Sequence, residues 1–140
     1  MSTKLKDKEE KIIKILNALA EEAAKGTLII VEGKKDVKTL QDLEVTGNFI
    51  SAKTGGKSFL DITTEIEQVG ATEVVLLLDF DRRGKQGIKR LKANLERAKI
   101  RPNITFWQAL QALLGREIQC IEGIKKYLLT LRAKINPSAA

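Results

Sequence analysis

Two short apolar runs constrain this chain most: Thr27-Leu28-Ile29-Ile30-Val31 and Glu73-Val74-Val75-Leu76-Leu77-Leu78. Strands that read as continuous apolar runs, without polar alternation, belong to sheets covered on both faces, and such sheets are parallel. Helical periodicity fills the intervals. Between Leu5 and Ala24, the residues Ile12, Ile13, Ile15, Leu16, Leu19, Ala20 and Ala23 recur at helical spacing among Lys and Glu, and Gly26 stops the helix. Asp36–Leu43 reads as a second helix, Asn48–Ala52 as a strand, Gly55-Gly56 as a turn, and Ser58–Gln68 as a helix ended by Gly70. Gly84–Ala98 is a basic helix with Ile88, Leu91 and Leu95 as its apolar stripe. Beyond Pro102, Ile104–Phe106 reads either as a short fourth strand or as the start of a helix. Two helical pieces follow, about Phe106–Leu114 and Ile121–Ala133, parted at Gly115, and the last residues from Pro137 are expected to fray.

Strands alternating with helices predict an α/β fold: a parallel sheet of about four strands between helices, joined by right-handed crossovers. The expected organisation is an N-terminal amphipathic helix over 1–25, a core over 26–107 and a helical tail over 108–140, forming one compact domain. Apolar residues make up 43% of the 140, enough for a core without disulfide or metal staples.

Charge points to the partner. Lys and Arg total 25 against 18 Asp and Glu, but residues 1–81 hold 11 basic and 15 acidic side chains while residues 82–140 hold 14 and 3. An acidic half joined to a strongly basic half predicts a polyanion partner, nucleic acid foremost. The run Arg82–Arg101 has nine basic residues and a single acid, Glu96. Binding through it should weaken steeply with salt as counterions are released.

The chain has no histidine and one cysteine, Cys120. Ser-His-Asp triads, imidazole bases, a disulfide and His- or Cys-based zinc sites are therefore excluded. Cys120 reads as a small buried apolar residue. Met1-Ser2-Thr3-Lys4-Leu5-Lys6 leads into charge rather than a signal-type apolar stretch, and no run is long enough to span a bilayer, so the expectation is a soluble, cytoplasmic protein without a membrane partner.

In an open parallel sheet, function gathers at the carboxyl ends of the strands, beside the point where strand order reverses. The first strand ends in Val31-Glu32-Gly33 and the third in Leu78-Asp79-Phe80-Asp81. With strand order 2-1-3 these tips are neighbours, and Glu32, Asp79 and Asp81 converge. Three such carboxylates repel one another unless a cation sits among them. With oxygen ligands alone, that cation is Mg²⁺ or Mn²⁺. Lys34, Lys35, Arg82, Arg83 and Lys85 surround them and suit phosphate oxygens, with Lys89 and Arg90 further along the helix and Lys57 on the preceding segment. Asp-x-Asp after a strand is more often a turn or cap. Its occurrence together with Glu-Gly at another strand tip carries the reading. Gly56-Lys57-Ser58 is not a P-loop, because Ser51 stands where that motif needs glycine. Trp107, Phe106 and Tyr127 read as packing residues.

Ile29-Ile30-Val31-Glu32-Gly33-Lys34-Lys35-Asp36-Val37 and Leu77-Leu78-Asp79-Phe80-Asp81-Arg82-Arg83-Gly84 resemble the two signature motifs of the Toprim domain. That domain is shared by type IA and type II topoisomerases, bacterial-type primases, recombination proteins, certain nucleases and the 5S ribosomal RNA maturase. The likeness covers about residues 26–107 and implies a Rossmann-like fold. Small stand-alone Toprim proteins of archaea and bacteria also resemble the tail, in Leu113-Leu114-Gly115-Arg116-Glu117-Ile118 and Ile121-Glu122-Gly123. The resemblance implies that Asp79 and Asp81 bind metal and that Glu32 serves as general acid/base or ligand. Arg83 departs from type IA topoisomerases, which carry another acid there, and this argues against topoisomerase chemistry.

The leading expectation is a Mg²⁺-dependent nucleic-acid-binding protein that processes or degrades RNA by phosphodiester hydrolysis, RNA being favoured over DNA. A second reading is a non-catalytic, dimeric RNA or single-strand binding module of a larger RNA-processing complex. In it, the amphipathic end helices pair two protomers. A third, a primase-like nucleotidyl transferase, lacks zinc ligands.

Overall fold

The computed structural model describes residues 3–53 and 56–137. Its elements run α1 (Thr3–Ala24), β1 (Leu28–Val31), α2 (Lys34–Asp42), β2 (Asn48–Ser51), α3 (Phe59–Val69), β3 (Glu73–Leu77), α4 (Arg82–Arg97), β4 (Arg101–Asn103), α5 (Thr105–Leu114), a 3-10 turn (Ile121–Gly123) and α6 (Ile124–Ile135). The four strands form one parallel sheet in the order β2-β1-β3-β4. It is the expected α/β architecture.

Burial accounts for the strand sequences. Leu28 to Val31 are all buried, as are Val74 to Leu78, because helices cover both faces of the central pair. The register places Val31 beside Leu77 and beside Ser51, so the carboxyl ends of β1, β2 and β3 stop level with one another. Two further bonds extend the β1–β2 ladder past the strands, from Ala52 N–H to the Val31 carbonyl at 2.8 Å and from Lys53 N–H to the Glu32 carbonyl at 2.9 Å.

Of the two readings of Ile104–Phe106 the helix start holds, and the fourth strand lies just ahead of it. It lies at Arg101–Asn103 rather than 104–106, with Pro102 inside it. Proline is compatible with that position because β4 is the outer strand and only one side of its backbone pairs. Ile104 caps α5, so the stretch from Thr105 is helix. Of the predicted turn, Gly56 adopts a left-handed conformation (φ 67°), while Gly55 lies outside the described residues, as do 138–140 of the predicted fraying tail.

The end helices close the core of their own chain. α1 buries Ile12, Leu16, Leu19 and Ala23 against α5 and α6, which contribute Leu110, Leu114, Leu128 and Leu131. Those apolar stripes are thereby occupied within one protomer. Lys8 lies 5.3 Å above the Tyr127 ring and pairs with Glu117 at 3.1 Å. Trp107 is buried, stacked obliquely on Phe80 with ring centres 6.3 Å apart, and its indole N–H donates to the Leu78 carbonyl at 2.9 Å. Cys120 is half-buried rather than buried, because it is the extended residue that starts the 3-10 turn. Among the described residues, no helix is long and apolar enough to cross a membrane.

Trp107 therefore ties α5 to the residue that follows β3. Trp107→Phe keeps the packing but leaves the buried Leu78 carbonyl without its donor, an expected loss of about 1–3 kcal/mol. Urea denaturation followed by far-ultraviolet circular dichroism measures it.

Candidate metal and phosphate site

The level strand tips bring the motif residues together. Glu32 follows β1, and one of its carboxylate oxygens accepts a hydrogen bond from the Asp79 backbone N–H at 3.3 Å. Asp81 caps α4, its Oδ1 accepting from Gly84 N–H at 2.8 Å. Glu32, Lys53, Asp79, Asp81, Arg83 and Arg90 line one cleft of about 210 Å³. All three predicted acids and two of the predicted phosphate-binding residues thus share a cavity.

The other predicted cations stand elsewhere. Lys34, Lys35, Arg82, Lys85 and Lys89 are exposed and do not line this cleft. Lys57 lines the adjoining cleft, where its ammonium is paired with Glu65 at 3.1 Å. The reason on α4 is helical phase. Gly84, Gly87, Ile88, Leu91 and Leu95 are its buried face, and Arg83 and Arg90 flank that face on the side toward the acids. Lys85, Lys89 and Lys92 fall on the opposite flank.

Two contributors went unread in the sequence. Lys53 pairs with Glu32 at 3.8 Å. It follows β2 as Glu32 follows β1, so the strand order already implied their proximity. Asp36 is buried in the first turn of α2 and accepts two backbone N–H groups, from Gly33 at 3.0 Å and from Glu122 at 3.1 Å. It joins the first motif to the tail. A parallel brace holds the second motif, where Phe80 N–H donates to the Gln119 carbonyl at 2.7 Å.

The electrostatics centre on Asp79. Burial first, then the charges of Glu32, Asp36 and Asp81, push its carboxyl up to about 7, against a smaller opposing pull from Lys53. Its Oδ1 is buried and has no hydrogen-bond partner. Burial also raises the Asp36 carboxyl, in spite of its two N–H donors, and raises the Cys120 thiol, which stays protonated at neutral pH. A half-buried acid with one oxygen buried and orphaned, crowded by further carboxylates, is what a bound cation would stabilise. The donor set, all oxygen, fits a hard divalent ion. Asp79 with Asp81 or Glu32 could hold it. Among the described residues, no three acids are already gathered closely enough to enclose a metal.

Glycine makes the second motif buildable. A Cβ at Gly84 would lie 1.9 Å from the Asp79 carbonyl oxygen, and one at Gly87 would lie 2.8 Å from the Leu78 side chain. The first turn of α4 therefore sits directly against the backbone that carries the acids.

The profile of the Toprim domain matches residues 27–109. The chain belongs to the Toprim family. Its relatives include UPF0292 proteins of Methanosarcina barkeri, 34% identical over 125 residues (89% of this chain, 85% of the relative), and of Methanocaldococcus jannaschii, 34% identical over 120 residues (85% and 91%). A solved structure of an Aquifex aeolicus protein is similar, with a TM-score of 0.66 and 26% identity, covering 79% of this chain and 95% of the other. The Toprim match extends from β1 into α5, so it includes every strand of the sheet and both acidic tips. This small Toprim protein thus falls in a class associated with divalent metal and nucleic acid.

Two outcomes follow for the Toprim motifs. The folded chain holds the Asp79 proton more tightly than the unfolded chain does, so between about pH 4 and 7 this group's contribution to stability declines as pH rises. Asp79→Asn should flatten that decline in metal-free melts from pH 5 to pH 8. With solvent screening at the cleft mouth, the gain at pH 8 is about 1 kcal/mol, or roughly 3–6 °C. Gly84→Ala should cost about 2–3 kcal/mol by overpacking backbone that has no room to move, read from the same melts.

Proposed function

We propose that this Toprim protein is a Mg²⁺- or Mn²⁺-dependent phosphodiesterase acting on nucleic acid, RNA ahead of DNA, in RNA processing or degradation. The observation that carries the reading is the half-buried Asp79, whose buried Oδ1 has no hydrogen-bond partner, sharing with Glu32 and Asp81 a cleft walled by Arg83 and Arg90. Neither arginine makes an ion pair among the described residues, so both are available to a phosphodiester. Guanidinium groups suit phosphate because their planar fork donates two parallel hydrogen bonds.

In hydrolysis, Arg83 and Arg90 orient the phosphate and offset its charge. Glu32 accepts a proton from the attacking water as the new P–O bond forms. The bond to the ribose oxygen breaks, and solvent at the open side of the cleft reprotonates that oxygen. Asp81 is fixed by its cap to Gly84, so its free oxygen keeps a constant position relative to Asp79. A divalent ion bound by these carboxylates supplies Lewis acidity at a phosphoryl oxygen. RNA is placed ahead of DNA on the likeness to the 5S ribosomal RNA maturase.

A second reading, a nucleic-acid-binding module without hydrolysis, is favoured by one observation: no three acids among the described residues form a ready metal nest. One experiment separates the two. Labelled single-stranded RNA and DNA are incubated with the protein, with and without Mg²⁺ or Mn²⁺, at two salt concentrations. Metal-dependent shortening of RNA, reduced at least a hundredfold in Glu32→Gln with binding retained, is the expected result. Salt-sensitive binding without product would make it a module. Neither binding nor product would overturn the nucleic-acid reading.

A further inference from the structure

A second cleft, of about 470 Å³, adjoins the acidic one and shares Phe59 and Arg90 with it. It runs between the start of α3 and the outer flank of α4, where Lys57, Leu60, Asn94 and Arg97 line it. Arg83, Arg90 and Arg97 are spaced seven residues apart, which on an α-helix returns each to nearly the same line after two turns. They form a row about 21 Å long at 1.5 Å per residue. One end reaches the acids and the other the last turn of α4, where Asn94 accepts a hydrogen bond from Arg97.

We infer that this row is the path of a single-stranded nucleic acid, whose phosphates follow the three arginines while unpaired bases rest on Phe59 and Leu60. The inference rests on the nucleic-acid reading above and adds the strandedness and direction of the substrate. Three observations support it. Leu60 is 67% exposed, a large apolar side chain beside a line of guanidinium groups. Such a surface rewards bases with free faces and offers little to a duplex, whose bases are stacked on each other. The cleft is a surface groove along the line where α3 packs on α4, and it runs on into the acidic cleft through Phe59 and Arg90. Lys57 is neutralised by Glu65, and Asp61 bonds to Ser58 in the α3 cap, so the positive charge of this surface comes from the arginines of α4.

The opposite flank of α4 provides the control. Lys92, with Lys99 just beyond the helix, is exposed and equally cationic but lies outside both clefts. Fluorescence anisotropy with a labelled ten-nucleotide oligouridylate and with an RNA duplex, in EDTA, measures binding apart from any cleavage. Arg90→Gln with Arg97→Gln should weaken single-strand binding about tenfold and make the log–log salt dependence shallower by about 1.4, the value for two phosphates. Leu60→Ala should weaken the single strand several-fold and leave the duplex unchanged. Lys92→Gln with Lys99→Gln should stay within twofold of the unmodified protein. Equal losses in the two charge pairs, or tighter binding of the duplex, would overturn the path while leaving nucleic-acid binding intact. If the unmodified protein bound neither probe, the underlying reading would fail instead.

Discussion

The parallel pairing of β1 with β3 is the constraint on which the rest of the site depends. Their register ends both strands level, so Glu32 and Asp79 emerge side by side from a sheet that is buried on both faces. Crowded carboxylates destabilise a fold, and a strand tip backed by fully buried Val31 and Leu77 is where that cost can be borne without the acids moving apart. Burial first and the neighbouring acids second push the Asp79 carboxyl up to about 7. The same burial that makes the sheet stable makes the acids unusual.

The tail completes what the sheet begins. Trp107 holds the Leu78 carbonyl, Gln119 holds the Phe80 N–H, and Glu122 donates to Asp36. Both motif loops are thus tied to the stretch between α5 and α6, outside the β-strands themselves. Backbone groups at the end of a strand have lost their ladder partners and need others when buried. The tail supplies them, and in doing so fixes the direction in which Asp79 and Asp81 leave the sheet. Residues 113–123, whose pattern looks like an afterthought to the core, act as its brace.

Much of this was legible in the sequence. The apolar runs gave β1 and β3, and the order 2-1-3 followed from the fold class, so the convergence of Glu32, Asp79 and Asp81 on one cleft could be foreseen. The fourth strand has no clear signal of its own, because Pro102 reads as a breaker wherever the edge of a sheet is unknown, while the helix start after it is one of the two readings the sequence offers. Lys53 belongs to no motif, and only its place after β2 sets it opposite Glu32. Asp36 reads as part of a helix start, which it is, but its bond to Glu122, 86 residues away, has no local signature. In the sequence the basic run reads as one surface. Only the burial of Gly84 and Gly87 shows which flank of α4 faces the acids.

That flank also differs in chemistry from its counterpart. The cleft side of α4 presents Arg83, Arg90 and Arg97, whereas the far side presents Lys85, Lys89 and Lys92, with Arg82 at the helix start. Net charge alone would not distinguish the two flanks. A guanidinium is weakly hydrated and holds phosphate in a fixed bidentate geometry, while an ammonium is a strongly hydrated point charge on a flexible stem. Arginine therefore lies where a phosphate would have to be positioned against carboxylates, and lysine where charge need only draw a polyanion in from solution. On the proposed function, the helix would divide attraction from orientation between its two sides, and its glycine-lined inner face sets the arginine side within reach of Asp79.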